Sequence, residues 1–126
     1  PHTFEDKLGE FDYAAFGISG LETALALIYN NFIKKGIIDW NDLLRMYYYK
    51  PGEIMDIESE GLKEGARADI LIFNPEREWK VDKNKFKSKG KNTPFNGEEL
   101  CGKNEMTFVG AKLVYDDRGG KNEILY

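Results

Sequence analysis

Ala15-Phe16-Gly17-Ile18-Ser19-Gly20-Leu21-Glu22 is the stretch on which the reading of this chain turns. Two glycines three residues apart break any regular period and lead straight into an apolar periodic segment. Glycine lets main chain approach a ligand closely, and a turn that opens a helix is a favourable place for an anion. Ser19 stands three residues before Glu22, the spacing of a capping box. Leu21, Ala24, Leu25, Ile28 and Phe32 then recur at helical spacing and predict one buried face. Lys34, Lys35 and Gly36 close that helix as basic last-turn residues followed by a C-terminal glycine.

Working outward, Asp39 is placed to cap a second helix with Trp40, Leu43, Leu44 and Tyr47 on its buried side. Pro51 suits the first turn of a third, carrying Ile54, Met55 and Ile57 and ending at Gly61. Beyond Gly61 the period changes. Ala68 to Asn74 is an apolar β-branched run that Pro75 should end, and Trp79 and Val81 read as a half-exposed strand. Residues 83–98 read as a long loop. Met106 to Val109 and Lys112 to Tyr115 form a hairpin around Gly110, with Ile124-Leu125-Tyr126 as a final strand. The chain thus divides near Gly61 into helices followed by strands, and neither half holds enough elements for a large core of its own.

Composition excludes several classes. A chain of 126 residues fits one domain. Its net charge of -4 argues against non-specific nucleic-acid binding. The longest apolar candidate, Leu21 to Ile33, is interrupted by Glu22, Thr23, Asn30 and Asn31, so no membrane span is read. One cysteine, Cys101, allows no internal disulfide and points to a reducing, cytoplasmic setting. The lone histidine, His2, and Cys101 cannot assemble a zinc site. Trp40 and Trp79 are read as packing anchors, and the Lys83 to Lys91 cluster as a solvated loop. Because the chain opens on Pro1-His2-Thr3 without a methionine, it is expected to be a piece of a larger protein.

Four segments carry a resemblance. Pro1-His2-Thr3 resembles the end of an Asp-His-Ala-Pro-His-Thr motif. Phe16-Gly17-Ile18 with Gly20-Leu21-Glu22-Thr23 resembles a Pro-Phe-Gly-Ile-x-Gly-Leu-Glu-Thr turn. Glu60 to Gly65 followed by Ala68-Asp69 resembles the point where a barrel chain passes into a small β-domain. Ser88-Lys89, Asn92-Thr93-Pro94-Phe95, Gly97, Leu100, Gly102 and Thr107 resemble a closing signature. Together and in this order they resemble the C-terminal portion of the type I, bacterial dihydroorotases of the amidohydrolase superfamily, over Pro1 to about Asp117.

The resemblance implies an α/β parent, a metal-dependent (β/α)₈ barrel with a flanking small β-domain. Residues 1–60 would end the barrel, with its last active-site turn and helices, and residues 61–126 would be the C-terminal part of a small β-sandwich-type domain. It implies zinc-dependent reversible hydrolysis of the cyclic amide of dihydroorotate to N-carbamoyl aspartate in pyrimidine biosynthesis. Zinc ligands would lie upstream, so no catalytic or metal residue is expected in this chain. His2, Phe16 and Gly17 are the implied substrate-binding residues. Ala15, where the family has proline, departs from the pattern without removing the glycine. The implied partners are the small-molecule substrate, the rest of the barrel and a further copy in a homo-oligomer. The alternatives are another cyclic amidohydrolase (an allantoinase or hydantoinase), a non-catalytic dihydroorotase-like subunit, or a free-standing interaction module. A severed segment is expected to be inactive alone and to expose apolar surface.

Overall fold

The computed structural model of the chain describes residues 2–3, 5–57, 60–118 and the backbone of 123–124. A short 3₁₀ turn, Glu5–Lys7, comes first. Helix α1, Ala24–Ile28, runs directly into a π-helical turn, Tyr29–Ile33. Helix α2, Trp40–Leu44, is followed by a second π turn, Arg45–Tyr49, and by helix α3, Lys50–Ile54. Four antiparallel strands follow: β1, Ile70–Lys80; β2, Glu99–Val109; β3, Lys112–Asp116; and β4, Glu123–Ile124. They make one sheet in the order β1-β2-β3-β4.

Asp39 does cap α2. Its carboxylate accepts from the Asp42 amide at 2.8 Å while Asp42 accepts from the Asp39 amide at 3.1 Å, a reciprocal box. Gly36, with φ of +67°, closes the first helical run as expected. The second and third helices differ from expectation by merging into one continuous run. Pro51 lacks an amide hydrogen, and the π turn just before it absorbs the misfit that a proline would force on an uninterrupted α-helix. That run ends at Ile54 rather than near Gly61. Asp56 takes a left-handed φ of 54°, and the Ile57 amide donates back to the Gly52 carbonyl at 2.9 Å, which terminates the helix.

The expectation that Pro75 ends the first strand is overturned. β1 continues through it to Lys80. It can, because β1 is an edge strand among the described strands and because its pairing with β2 is irregular between Asn74 and Glu78. A proline is tolerated at an edge and at a bulge, where no ladder donor is lost. Gly102 lies across that irregularity with a φ of +90°, and a Cβ there would collide with the Phe73 ring. The expected hairpin forms, with Gly110 and Ala111 both at positive φ (55° and 65°), the left-handed pair that a tight two-residue turn demands. β4 pairs Ile124 with Tyr115 and Glu123 with Asp116; Leu125 and Tyr126 lie outside the described residues.

The core is small. Ala26, Val81, Phe86 and Leu100 are buried together, with Leu27, Trp79 and Phe95 against them. Val81, at 2% exposure, belongs to this core and not to a half-exposed strand. α1 therefore buries Ala26 and packs Leu27, with Thr23 buried just before it, while Leu21, on the expected face, is 92% exposed. Asn30 explains the choice of face. Its amide side chain spans to β2, donating to the Cys101 carbonyl at 2.6 Å and accepting from the Cys101 amide at 3.2 Å. Cys101 thus sits on β2, with the Lys34 ammonium 3.2 Å from its sulfur. Tyr29, Trp40 and Phe73 join the helices to the sheet through ring contacts of 5.7 to 5.9 Å.

Directly after β3, Asp117 is only 1% exposed. Lys103 Nζ at 2.6 Å and Arg77 Nη2 at 3.1 Å flank its carboxylate, and its amide donates to the Glu105 carbonyl at 2.8 Å. A buried acid between two cations is strongly position-determining, since removing it strands the cations.

Candidate functional site

The site is built from the N-terminal turns and the loop that precedes β2. Thr3 and Asp6 exchange hydrogen bonds, Thr3 N–H to Asp6 Oδ2 at 2.8 Å and Asp6 N–H to Thr3 Oγ1 at 3.3 Å. The Thr3 backbone donor, and then its side chain, hold the Asp6 carboxyl below the usual carboxylate range. This small box fixes the 3₁₀ turn that carries Lys7. His2 is exposed, with Nδ1 3.8 Å from Asp6 Oδ2.

Lys7 reaches across to the stretch quoted at the outset. Its ammonium donates to the carbonyls of Ala15, of Phe16 at 3.1 Å and of Gly17 at 2.8 Å. Gly17 adopts a φ of +94°, open to glycine and strained for any other residue. Asn92 adds a second latch. Its side-chain amide donates to the Gly17 carbonyl at 3.2 Å and its own carbonyl accepts from the Ser19 amide at 2.6 Å. Glu22 completes the junction by accepting from the Lys87 and Ser88 amides, both at 3.0 Å.

This corrects the capping box expected between Ser19 and Glu22. The residue preceding α1 is Thr23, whose hydroxyl donates to the Gly20 carbonyl at 3.1 Å, and the Glu22 carboxylate is taken by the distant loop. The turn also stands further from the helix than expected. Ile18 to Thr23 intervene between Gly17 and the first residue of α1, so the helix start offers no direct anion site beside Gly17.

The structure gathers His2, Phe16 and Gly17 on the wall of one cleft of about 950 Å³. Phe16 is 86% exposed there. Lys7, Asn92 and Tyr115 line the same cleft. Burial pushes the Tyr115 phenol up, the nearby Asp117 charge adds to this and Arg77 opposes it. Lys7 was not singled out from the sequence, where it reads as one lysine among many. Asn92 was quoted within the closing signature without a role; its spacing from Gly17 along the chain is too long for any local pattern to link them.

Three comparisons bear on this arrangement. No protein-family model matches the chain. A dihydroorotase of Bacillus cytotoxicus is 47% identical over 115 residues, covering 91% of this chain and 27% of that protein. A dihydroorotase of Caldanaerobacter subterraneus subsp. tengcongensis is 49% identical, covering 91% of this chain and 26% of its own length.

The chain resembles the dihydroorotases.

It spans about a quarter of the length of the curated dihydroorotases it matches. Among solved structures, an L-hydantoinase (dihydropyrimidinase) from Arthrobacter aurescens superposes with a TM-score of 0.82 at 30% identity, over 93% of this chain and 26% of that one. The helix-then-strand arrangement of this chain is therefore shared with about a quarter of that hydantoinase structure.

The resemblance to dihydroorotases also raises zinc. Among the described residues no three His, Cys, Asp or Glu side chains come together as a metal site. His2 lies 3.8 Å from Asp6, and the described residues do not themselves supply the ligands the ion needs. Also among the described residues, no helix is long and apolar enough to cross a membrane.

Proposed function

We propose that this chain is the C-terminal segment of a dihydroorotase, which hydrolyses the cyclic amide of dihydroorotate reversibly to N-carbamoyl aspartate in pyrimidine biosynthesis. One observation carries the reading: identity of 45% to 49% to proteins of that name over 91% of the chain. On this reading residues 1–60 complete the (β/α)₈ barrel, residues 61–126 belong to the flanking small β-domain, and the protein works in the cytoplasm. Zinc, with its power to activate water near neutral pH, is held by residues other than those described here. The work left to this chain is to hold the substrate.

His2, Phe16 and Gly17 are the residues we assign to that task. Their common wall supports the assignment. The substrate carries a carboxylate and a cyclic diamide, and so needs a donor able to carry positive charge together with main-chain donors. His2 supplies the first. The Phe16 and Gly17 amides supply the second, because their carbonyls are already occupied by Lys7 and Asn92. The exposed Phe16 ring offers the apolar side of the site. In a barrel enzyme these residues would lie on the face where active sites are built.

The likeness to an L-hydantoinase structure favours a second reading, a cyclic amidohydrolase acting on hydantoin-type rings that lack the carboxylate. A hybrid protein decides between them. This chain replaces the matching quarter of the Bacillus cytotoxicus dihydroorotase, and the product is assayed on dihydroorotate and on hydantoin. The proposal expects turnover of dihydroorotate. A folded hybrid that hydrolyses only hydantoin establishes the second reading, and one inert on both overturns the first. The 126-residue chain by itself, given zinc and dihydroorotate, is expected to show no turnover.

A further inference from the structure

Three adjacent carbonyl oxygens, those of Ala15, Phe16 and Gly17, converge on one ammonium. Consecutive carbonyls do not point the same way in a strand or a loose loop. Aligned dipoles of this kind repel one another unless a cation sits at their focus, and charge-assisted hydrogen bonds are the strong ones. We propose that Lys7 is the positioning residue of this site: it clamps the 15–17 turn and fixes its ligand-facing chemistry as donor-only. The identity of the ligand rests on the dihydroorotase reading above; the clamp does not.

First, Lys7 is held in place by a local structure. The Thr3–Asp6 box sets the 3₁₀ turn, and the Ala15 amide donates to the Asp6 carbonyl at 3.0 Å, which ties the two segments side by side. Second, Gly17 at φ of +94° leaves the turn free to relax, since glycine has the widest choice of backbone states. Something must select one of them. Lys7 does so from one side and Asn92, through the Gly17 carbonyl, from the other. Ala15 does not restrict the turn as a proline would, so the demand on the clamp is greater. Third, the clamp consumes acceptors. With the three carbonyls turned to Lys7, the turn is left with its N–H groups for a ligand, and the Lys7 ammonium, on the wall of the same cleft, makes its field more positive. Such a wall takes a carboxylate or a ring carbonyl and leaves a ring N–H to be met elsewhere in the site.

The test needs no ligand at first. In the unsubstituted chain, the Lys7 ammonium is expected to show a slowly exchanging ¹⁵N–¹H signal coupled to the ¹³C carbonyls of Ala15, Phe16 and Gly17. A fast-exchanging, uncoupled ammonium overturns the clamp. Lys7→Met keeps the aliphatic stem and removes the charge. Hydrogen exchange at the Ala15 and Ser19 amides is then expected to quicken by about tenfold or more, while the Val81 and Asp117 amides, bonded to Glu98 and Glu105 in the sheet half, stay as they were. Lys7→Arg restores part of the protection. Unchanged exchange at Ala15 and Ser19 in Lys7→Met overturns the clamp.

The second arm uses the hybrid protein. Lys7→Met is expected to raise KM for dihydroorotate about tenfold with a smaller change in kcat, the pattern of lost ground-state and transition-state binding alike, and Lys7→Arg to recover part of it. An unaltered KM overturns the positioning role. A hybrid with Lys7 intact that is inert on dihydroorotate overturns the functional reading instead, and leaves the ligand-free result to judge the clamp.

Discussion

The helical run Trp40–Ile54 holds a larger share of apolar residues than the sheet half, yet buries few of them. Around β1 and β2, Val81, Phe86 and Leu100 are buried with Ala26 of α1. Along the helical run Leu43 and Gly52 are buried, while Leu44, Met46, Tyr47, Tyr48, Tyr49 and Ile54 are each 42% to 80% exposed. The difference teaches that periodicity in a sequence announces a face to be buried and is silent about where the burying partner lies. For the strands and α1 the partner is inside these 126 residues. For the helical run the described residues supply little beyond Tyr29 and Phe73 against Trp40.

That contrast can be broken by mutation, and the largest effects should fall in the sheet half. Phe86→Ala removes a buried ring and is expected to cost about 3–5 kcal/mol, read by denaturant unfolding. Asp117→Ala, which leaves Arg77 and Lys103 facing each other without their shared acid, is expected to cost about 3 kcal/mol or more. Gly102→Ala places a methyl into the Phe73 ring at a left-handed φ and should cost well over about 1 kcal/mol. In the helical run the expected losses are smaller. Asp39→Ala forfeits the cap of α2 at about 1 kcal/mol, visible as faster amide exchange at Asp42. Leu44→Ala, half exposed, should stay within about 0.5 kcal/mol. If Leu44→Ala costs as much as Phe86→Ala, the two halves are not the different environments described here.

The gentlest probe is pH. The Arg118 guanidinium and amide hold the Asp116 carboxyl at about 2, down from an ordinary 3.8. A depressed carboxyl contributes stability above its unfolded value and loses it as pH falls through the folded one. The Asp116–Arg118 contribution should therefore be intact above pH 3.8 and lost between 3.8 and about 2. A ¹³C titration of the Asp116 carboxyl checks this, and an unshifted midpoint contradicts it.

Much of the fold was legible wherever cause and effect are close in the chain. The Asp39 cap needs only Asp42, and the hairpin needs only Gly110 and the alternating residues beside it. Reading failed where a distant group intervened. Glu22 is three residues from Ser19, yet its carboxylate is claimed by Lys87 and Ser88. The face of α1 was misjudged because Asn30, a polar residue, anchors to Cys101 on β2. Pro75 breaks a central strand but not an edge with a bulge, and edge position is not visible before the sheet order is known. The three candidate site residues, His2, Phe16 and Gly17, come from resemblance rather than from period. Lys7 was missed because nothing local marks a lysine whose acceptors begin eight residues further on.

The central claim is that the 16–17 turn holds dihydroorotate through its amides. The hybrid protein, isotopically labelled in this chain, tests it by the ¹⁵N–¹H shifts of Phe16 and Gly17 as dihydroorotate is added. The account predicts that these two signals move and saturate with the substrate while Gly110 and Ala111 in the hairpin stay in place. A hybrid that turns over dihydroorotate with the Phe16 and Gly17 signals unmoved would contradict it.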